Sequence, residues 1–108
     1  MVLNIATIKL DLTPAFRTYI ERRLLPLEAL IKRFDPEGEA ELRVEVERTT
    51  RHHRHGEVYL ASATLRLPKQ VLRAEETDEE PHAAVDAVRD TLRREIRKYK
   101  TKFAERRR

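Results

Sequence analysis

The 108-residue chain has no cysteine, which excludes a disulfide framework, a thiolate metal site and a cysteine nucleophile, and fits a reducing compartment. It has no apolar run approaching the ~20 residues that a membrane span needs. Its N-terminus lacks the basic, apolar and small-residue order of a secretory signal. A cytoplasmic protein without membrane contact is the simplest reading. Neither an internal repeat nor a low-complexity linker interrupts it, so a single domain with one modest core is expected at this length. Charge is what it has in excess: 39% of residues are Asp, Glu, Lys or Arg, well above the usual quarter, so most of these side chains must be solvated.

That charge is unevenly placed. Residues 89–108 hold ten Lys or Arg and three Asp or Glu, a balance of +7, whereas the other 88 residues hold thirteen and sixteen, a balance of −3. The formal net charge of +4 therefore conceals a chain polarised from end to end. A concentrated cationic element suits a polyanion, because each neutralised phosphate releases condensed counterions. Arginine outnumbers lysine seventeen to six, and guanidinium groups bind phosphate bidentately and stack on unpaired bases. RNA or DNA is the partner this pattern favours.

Periodicity outlines the fold. Residues 1–10 are rich in Val, Leu, Ile and Thr and read as a first strand. Thr13-Pro14 then supplies a cap and a first helical residue, and Phe16, Ile20, Leu24, Leu27, Ile31 and Phe34 recur every three or four positions as one buried face. Pro26 lies within this helix and removes the N–H that would bond Arg22 O, so a kink or a break into two segments is expected there. Ala40, Leu42, Val44 and Val46 alternate with acids and arginines as a second strand, and residues 58–67 form a third. Pro68-Lys69 turns into a short fourth strand, residues 70–74. An acidic stretch, Glu75, Glu76, Asp78, Glu79 and Glu80, follows as a solvated turn. Glu80-Pro81 opens a second helix whose buried stripe is Val85, Val88, Leu92, Ile96, Tyr99 and Phe103.

The expected fold class is α+β, ordered β-α-β-β-β-α. Its four-stranded sheet carries two helices packed on one face, as in double-stranded-RNA-binding domains. The crossover helix makes the first two strands parallel neighbours. The second helix then directs Arg89, Arg93, Arg94, Arg97, Lys98, Lys100 and Lys102 away from the core.

Residues 67–103, LPKQVLRAEETDEEPHAAVDAVRDTLRREIRKYKTKF, closely resemble the ribosome hibernation-promoting factor family, whose members are also described as ribosome-associated translation inhibitors. The likeness rests on LRAEE, on Ala83, Ala84 and Asp86, and on RKYKTK at the basic helix end. DLTPAFRTYIERRL at 11–24 and VEVERT at 44–49 match the family's first helix and second strand. The resemblance implies a ribosome-binding domain over residues 1–103 with a basic tail at 104–108. Such a domain lodges on the small ribosomal subunit through rRNA, in the channel of messenger RNA and transfer RNA, and silences idle ribosomes without catalysis, metal, cofactor or small-molecule substrate. The family's rRNA-contacting cations fall on Arg89, Arg93, Arg94, Arg97, Lys98, Lys100 and Lys102, and on Arg22, Arg23 and Lys32 of the first helix. This chain departs from the pattern at Pro81-His82, where an apolar residue and a tyrosine are usual. It also stops at Arg108, before the C-terminal domain with which longer relatives pair ribosomes, so a monomer is expected when free.

Other readings compete. Charges at i and i+4 can simply solvate a helix, with Asp86, Asp90 and Glu95 pairing neighbouring arginines. A general double-stranded-RNA module would read A-form shape instead of one ribosomal groove. His52, His53 and His55 could ligate zinc, but adjacent strand-like residues point apart and Arg51 and Arg54 repel a cation, so the 49–56 loop reads as a basic contact that gains charge on histidine protonation. The acidic run at 75–80 could hold a divalent ion, although a turn and helix start explain it without one.

Overall fold

In the computed structural model, residues 1–49 and 58–106 are described, the last two through their backbone. The elements are β1 (Val2–Ile8), α1 (Pro14–Leu24), α2 (Glu28–Ile31), β2 (Glu41–Thr49), β3 (Val58–Leu67), β4 (Gln70–Asp78) and α3 (Pro81–Arg106). The sheet order is β1-β2-β3-β4, with β1 parallel to β2 and the remaining pairs antiparallel. This is the α+β arrangement expected from periodicity. The His52, His53 and His55 cluster and the end of the basic tail lie outside the described residues.

Alternation sorts each strand into two faces. Leu42, Val44 and Val46 of β2, Ala61, Ala63, Leu65 and Leu67 of β3, and Leu72 and Ala74 of β4 are buried on one of them. Phe16, Ile20 and Leu24 of α1 and Ala84, Val85, Val88, Leu92 and Ile96 of α3 close over that face as one core. The opposite face is open and presents Glu41, Arg43 and Glu45 of β2 beside Ser62 and Thr64 of β3. The two helices run side by side in the same direction: His82 meets Phe16 near their starts, and Tyr99 and Phe103 meet Phe34 near their ends.

Thr13 Oγ1 accepts the Phe16 N–H at 3.1 Å and caps α1, with Pro14 in its first turn. Pro26 breaks the helix. α1 stops at Leu24, Leu25–Leu27 forms a 3-10 turn, and α2 adds one further turn, yet Leu27, Ile31 and Phe34 stay buried. A tightened turn rephases the side chains so that the stripe survives the missing N–H. Beyond α2, Asp35 is the buried charged residue of the described chain. Its carboxylate accepts the Glu39 and Ala40 N–H groups, each at 2.8 Å, and Gly38 takes a φ of 70° in the same turn, a conformation that costs glycine little.

Three boundaries differ from expectation. β1 ends at Ile8, not at residue 10, because Lys9 adopts a φ of 59° and turns the chain out of the sheet. The helical segment expected to run to about Phe34 ends with α2 at Ile31, and residues 32–34 form a hydrogen-bonded turn in which Phe34 N–H reaches Ile31 O at 2.9 Å. β4 continues to Asp78, so Glu75, Glu76 and Asp78 belong to a strand and not to a solvated turn. Pairing with Ser62, Ala61 and Tyr59 carries these acids along β3 and sends them to alternate faces. Among the described residues no acidic or histidine cluster has the arrangement of a metal site.

Candidate nucleic-acid interface

α3 is the longest element, 26 residues or about 39 Å at 1.5 Å per residue. Asp78 Oδ1 accepts the Glu80 N–H at 3.1 Å, and Glu80 O accepts the Ala84 N–H at 3.0 Å, which starts the helix at Pro81. Acids at residues 78–80 before that start, and cations toward its other end, both suit the macrodipole. Its apolar stripe lies on the sheet, with Val85, Val88, Leu92 and Ile96 fully buried and Tyr99 and Phe103 half-buried. The basic side chains consequently occupy the rest of the circumference.

They are not equivalent. Arg93, Arg97 and Lys102 are exposed, and no ion pair or hydrogen bond engages their side chains among the described residues. Lys100 is half-buried. Arg94 donates from Nη2 to Thr91 Oγ1 at 2.9 Å, and Thr91 Oγ1 donates to Glu76 Oε2 of β4 at 2.6 Å. Lys98 Nζ lies 3.2 Å from Glu95 Oε2. Arg89 is half-buried, with Nε 2.8 Å from Asp90 Oδ1 but without the alignment of a hydrogen bond.

The cations of the first helix separate in the same way. Arg22 is exposed beside Leu25 and Pro26, where the helix breaks. Arg23 is committed: its Nε lies 3.1 Å from Asp86 Oδ1, and its guanidinium stands 5.0 Å from the centre of the Tyr19 ring. The Tyr19 hydroxyl donates to both Asp86 oxygens at 2.8 Å. Desolvation first, and the Asp86 hydrogen bond second, raise the Tyr19 phenol above its ordinary value of 10.0. The side-chain hydrogen bond with Tyr19, followed by the Asp86 charge, raises the Arg23 guanidinium above its ordinary value. This network joins α1 to α3.

Lys32 is exposed in the turn after α2. Two positions on, Phe34 packs edge-on against Tyr99 at 4.8 Å and Phe103 at 4.9 Å, which brings this turn beside the basic end of α3. Arg33, also exposed, comes with it; sequence reasoning passed it over, although its position between Lys32 and an aromatic residue was the available signal. His82 is exposed at the helix start, but its ring also packs edge-on against Phe16 at 5.1 Å and Tyr19 at 4.5 Å. His82 thus serves the α1–α3 seam.

Known proteins share this architecture. A crystal structure of the Protein Y N-terminal domain from Thermus thermophilus superposes with a TM-score of 0.70 at 25% identity, covering 92% of this chain and 99% of that one. A ribosomal subunit interface protein from Coxiella burnetii superposes with a TM-score of 0.70 at 18% identity, over 94% of this chain and 99% of its own, a likeness of fold. In sequence, the chain is 32% identical over 100 residues to the ribosome hibernation promotion factor of Lactococcus lactis subsp. cremoris (strain MG1363), covering 93% of this chain and 50% of that protein. It is 33% identical over 94 residues to that of Staphylococcus aureus (strain COL), covering 87% of this chain and 45% of the relative. The chain therefore spans about half the length of the curated relatives it matches. The family described as Sigma 54 modulation protein / S30EA ribosomal protein matches residues 3–104. With nearly every described element inside that match, the chain belongs to this family, the ribosome hibernation factors to which its LRAEE and RKYKTK segments pointed.

Proposed function

We propose that the chain is a ribosome hibernation factor that binds the small ribosomal subunit through rRNA, in the cytoplasm, and blocks the channel used by messenger RNA and transfer RNA. The observation that carries this reading is the exposed surface of α3, where Arg93 and Arg97 on one flank and Lys102 on the other have no internal partner among the described residues, on a helix whose remaining face is locked to the sheet. Arg94 and Lys98 lie between these flanks and Lys100 beside Arg93, Lys32 sits in the turn that Phe34 brings next to the basic end of α3, and Arg22 adds an exposed cation on α1. The action is occlusion: a folded domain fills a groove walled by phosphates, and no bond is made or broken. Residues 1–103 form the binding domain and need no cofactor, metal, membrane or small-molecule substrate.

Neutralising roughly six phosphates lowers affinity by about a thousandfold between low and moderate salt, the lower end of the range for such contacts on duplex DNA. The test is co-sedimentation with purified small subunits at moderate salt, with a plain RNA duplex in excess as competitor. Retention on the subunits, together with inhibition of translation, is the expected result. Displacement by the duplex would instead identify a general structured-RNA module.

A further inference from the structure

The two edges of the sheet are built differently. β4 carries Arg73, Glu75, Glu76 and Asp78 along its length, charges of the kind that keep an edge from recruiting another strand. β1, the other edge, reads VLNIATI, with no charge, no proline and no glycine. Four large hydrophobic side chains are exposed among the described residues: Val2 at 54% and Ile8 at 38% belong to β1, whereas β4 has Val71 alone and Leu25 follows α1. None of the usual edge protections is present within β1.

Hydrogen-bond phase decides what this edge offers. Val2 N–H donates to Ala40 O at 2.9 Å, and Val2 stands opposite Glu41. In a parallel ladder alternate residues direct both N–H and C=O to the same neighbour. Val2, Asn4, Ala6 and Ile8 therefore face β2, and Leu3, Ile5 and Thr7 turn their peptide groups to the open edge.

We propose that β1 is a contact between two copies of this chain, strand against strand in antiparallel sense with the two-fold axis at Ile5. In that register Ile5 opposes its own equivalent and Leu3 opposes Thr7, so every outward N–H and C=O of both strands is paired. Val2 then opposes Ile8 in a close, non-hydrogen-bonded pair at each end, and the two exposed apolar side chains cover one another. Moving the axis by half a residue would set outward groups against inward ones, and moving it by a whole residue would keep their pairing but shorten the ladder and part Val2 from Ile8, so the axis at Ile5 is the one that engages the whole strand. The result is an eight-stranded sheet with both helix layers on one side. Each α3 packs over β3 and β4, far from the axis, so the two cationic helices stand roughly 30 Å apart at about 4.8 Å per strand, and neither is covered. One seven-residue edge buries less than the ~1,000 Å² that stable interfaces clear, which makes the dimer weak and concentration-dependent. The monomer expected from sequence is then the dilute species only.

The test is sedimentation equilibrium of the chain with nothing added before Met1, from about 1 µM to about 1 mM, where a reversible monomer–dimer equilibrium is expected. Val2→Lys with Ile8→Lys alters two exposed side chains and sets like charges against each other at both ends, and should weaken the dimer by about tenfold or more. Val2→Lys with Ile8→Glu sets opposite charges together in the same register and should restore it, which also separates a lost contact from a lost fold. A wild-type chain that remains monomeric throughout, or two double variants that associate alike, would overturn the proposal.

Discussion

The two halves of α3 share one buried stripe and differ in what becomes of their charges. In residues 81–92, Asp86 holds Tyr19 and Arg23, Asp90 sits against Arg89, and Thr91 is tied to Glu76 of β4. In residues 93–103, Arg93, Arg97 and Lys102 reach solvent without a partner among the described residues, and Glu95, the single acid of that segment, is occupied by Lys98. The first half spends its charges fastening helix to helix and helix to sheet. The second half keeps a like-charged surface whose self-repulsion is relieved when a polyanion binds. Counting basic residues cannot separate these roles; the reach of the nearest carboxylate does.

The largest effect expected from this contrast is on ribosome affinity. Arg93→Glu with Arg97→Glu removes two charge-assisted contacts worth about 1.5–3 kcal/mol each, so binding should fall by about a hundredfold or more while circular dichroism and the thermal midpoint hold. Arg89→Glu, on the tied half, should lose much less binding, and equal losses from the two halves would erase the distinction. Next comes Leu92→Ala at the join of the halves. Leu92 is fully buried, and the cavity should cost ~2–5 kcal/mol in denaturant unfolding, so any loss of binding here follows loss of fold. The smallest effect is expected from Asp86→Asn, which weakens the α1–α3 clasp by about 1 kcal/mol or less because the pair is well exposed. Removing that negative charge should bring the Tyr19 phenol down toward 10.0, which phenolate absorbance reads directly. In the native chain a raised phenol contributes stability in full below its ordinary value, and that contribution is lost as pH rises through the higher native value. The alkaline end of the stability profile should therefore be less steep in Asp86→Asn.

Much of the architecture was legible because burial leaves a period. The stripes from Phe16 to Phe34 and from Val85 to Phe103 identified both helices, and Pro26 located the break, since a missing N–H is a local fact. Boundaries were harder. Glu75 to Asp78 looked like a turn because acids are rare in strands, yet the outward residues of β4 face solvent and the inward Glu76 finds Thr91, a partner that sequence distance hides. Arg23 was placed among the RNA-facing cations by resemblance; its attachment to Asp86 arises only when two helices far apart in the chain are laid side by side. Arg93 and Arg97 were legible as outward-facing because both lie off the apolar stripe, while their freedom from partners could be read only once the acids had been positioned.

Asp35 governs more than its own turn. By clasping the Glu39 and Ala40 amides it fixes where β2 begins, and the Ala40 carbonyl it positions is the one that receives Val2. A slip of one residue there would invert the side chains of β1 with respect to the core and exchange the peptide groups offered at its rim for those now hidden. A single carboxylate at the foot of the second strand thus acts as the sheet's phase-setter, choosing which half of the first strand's backbone the outside world can read.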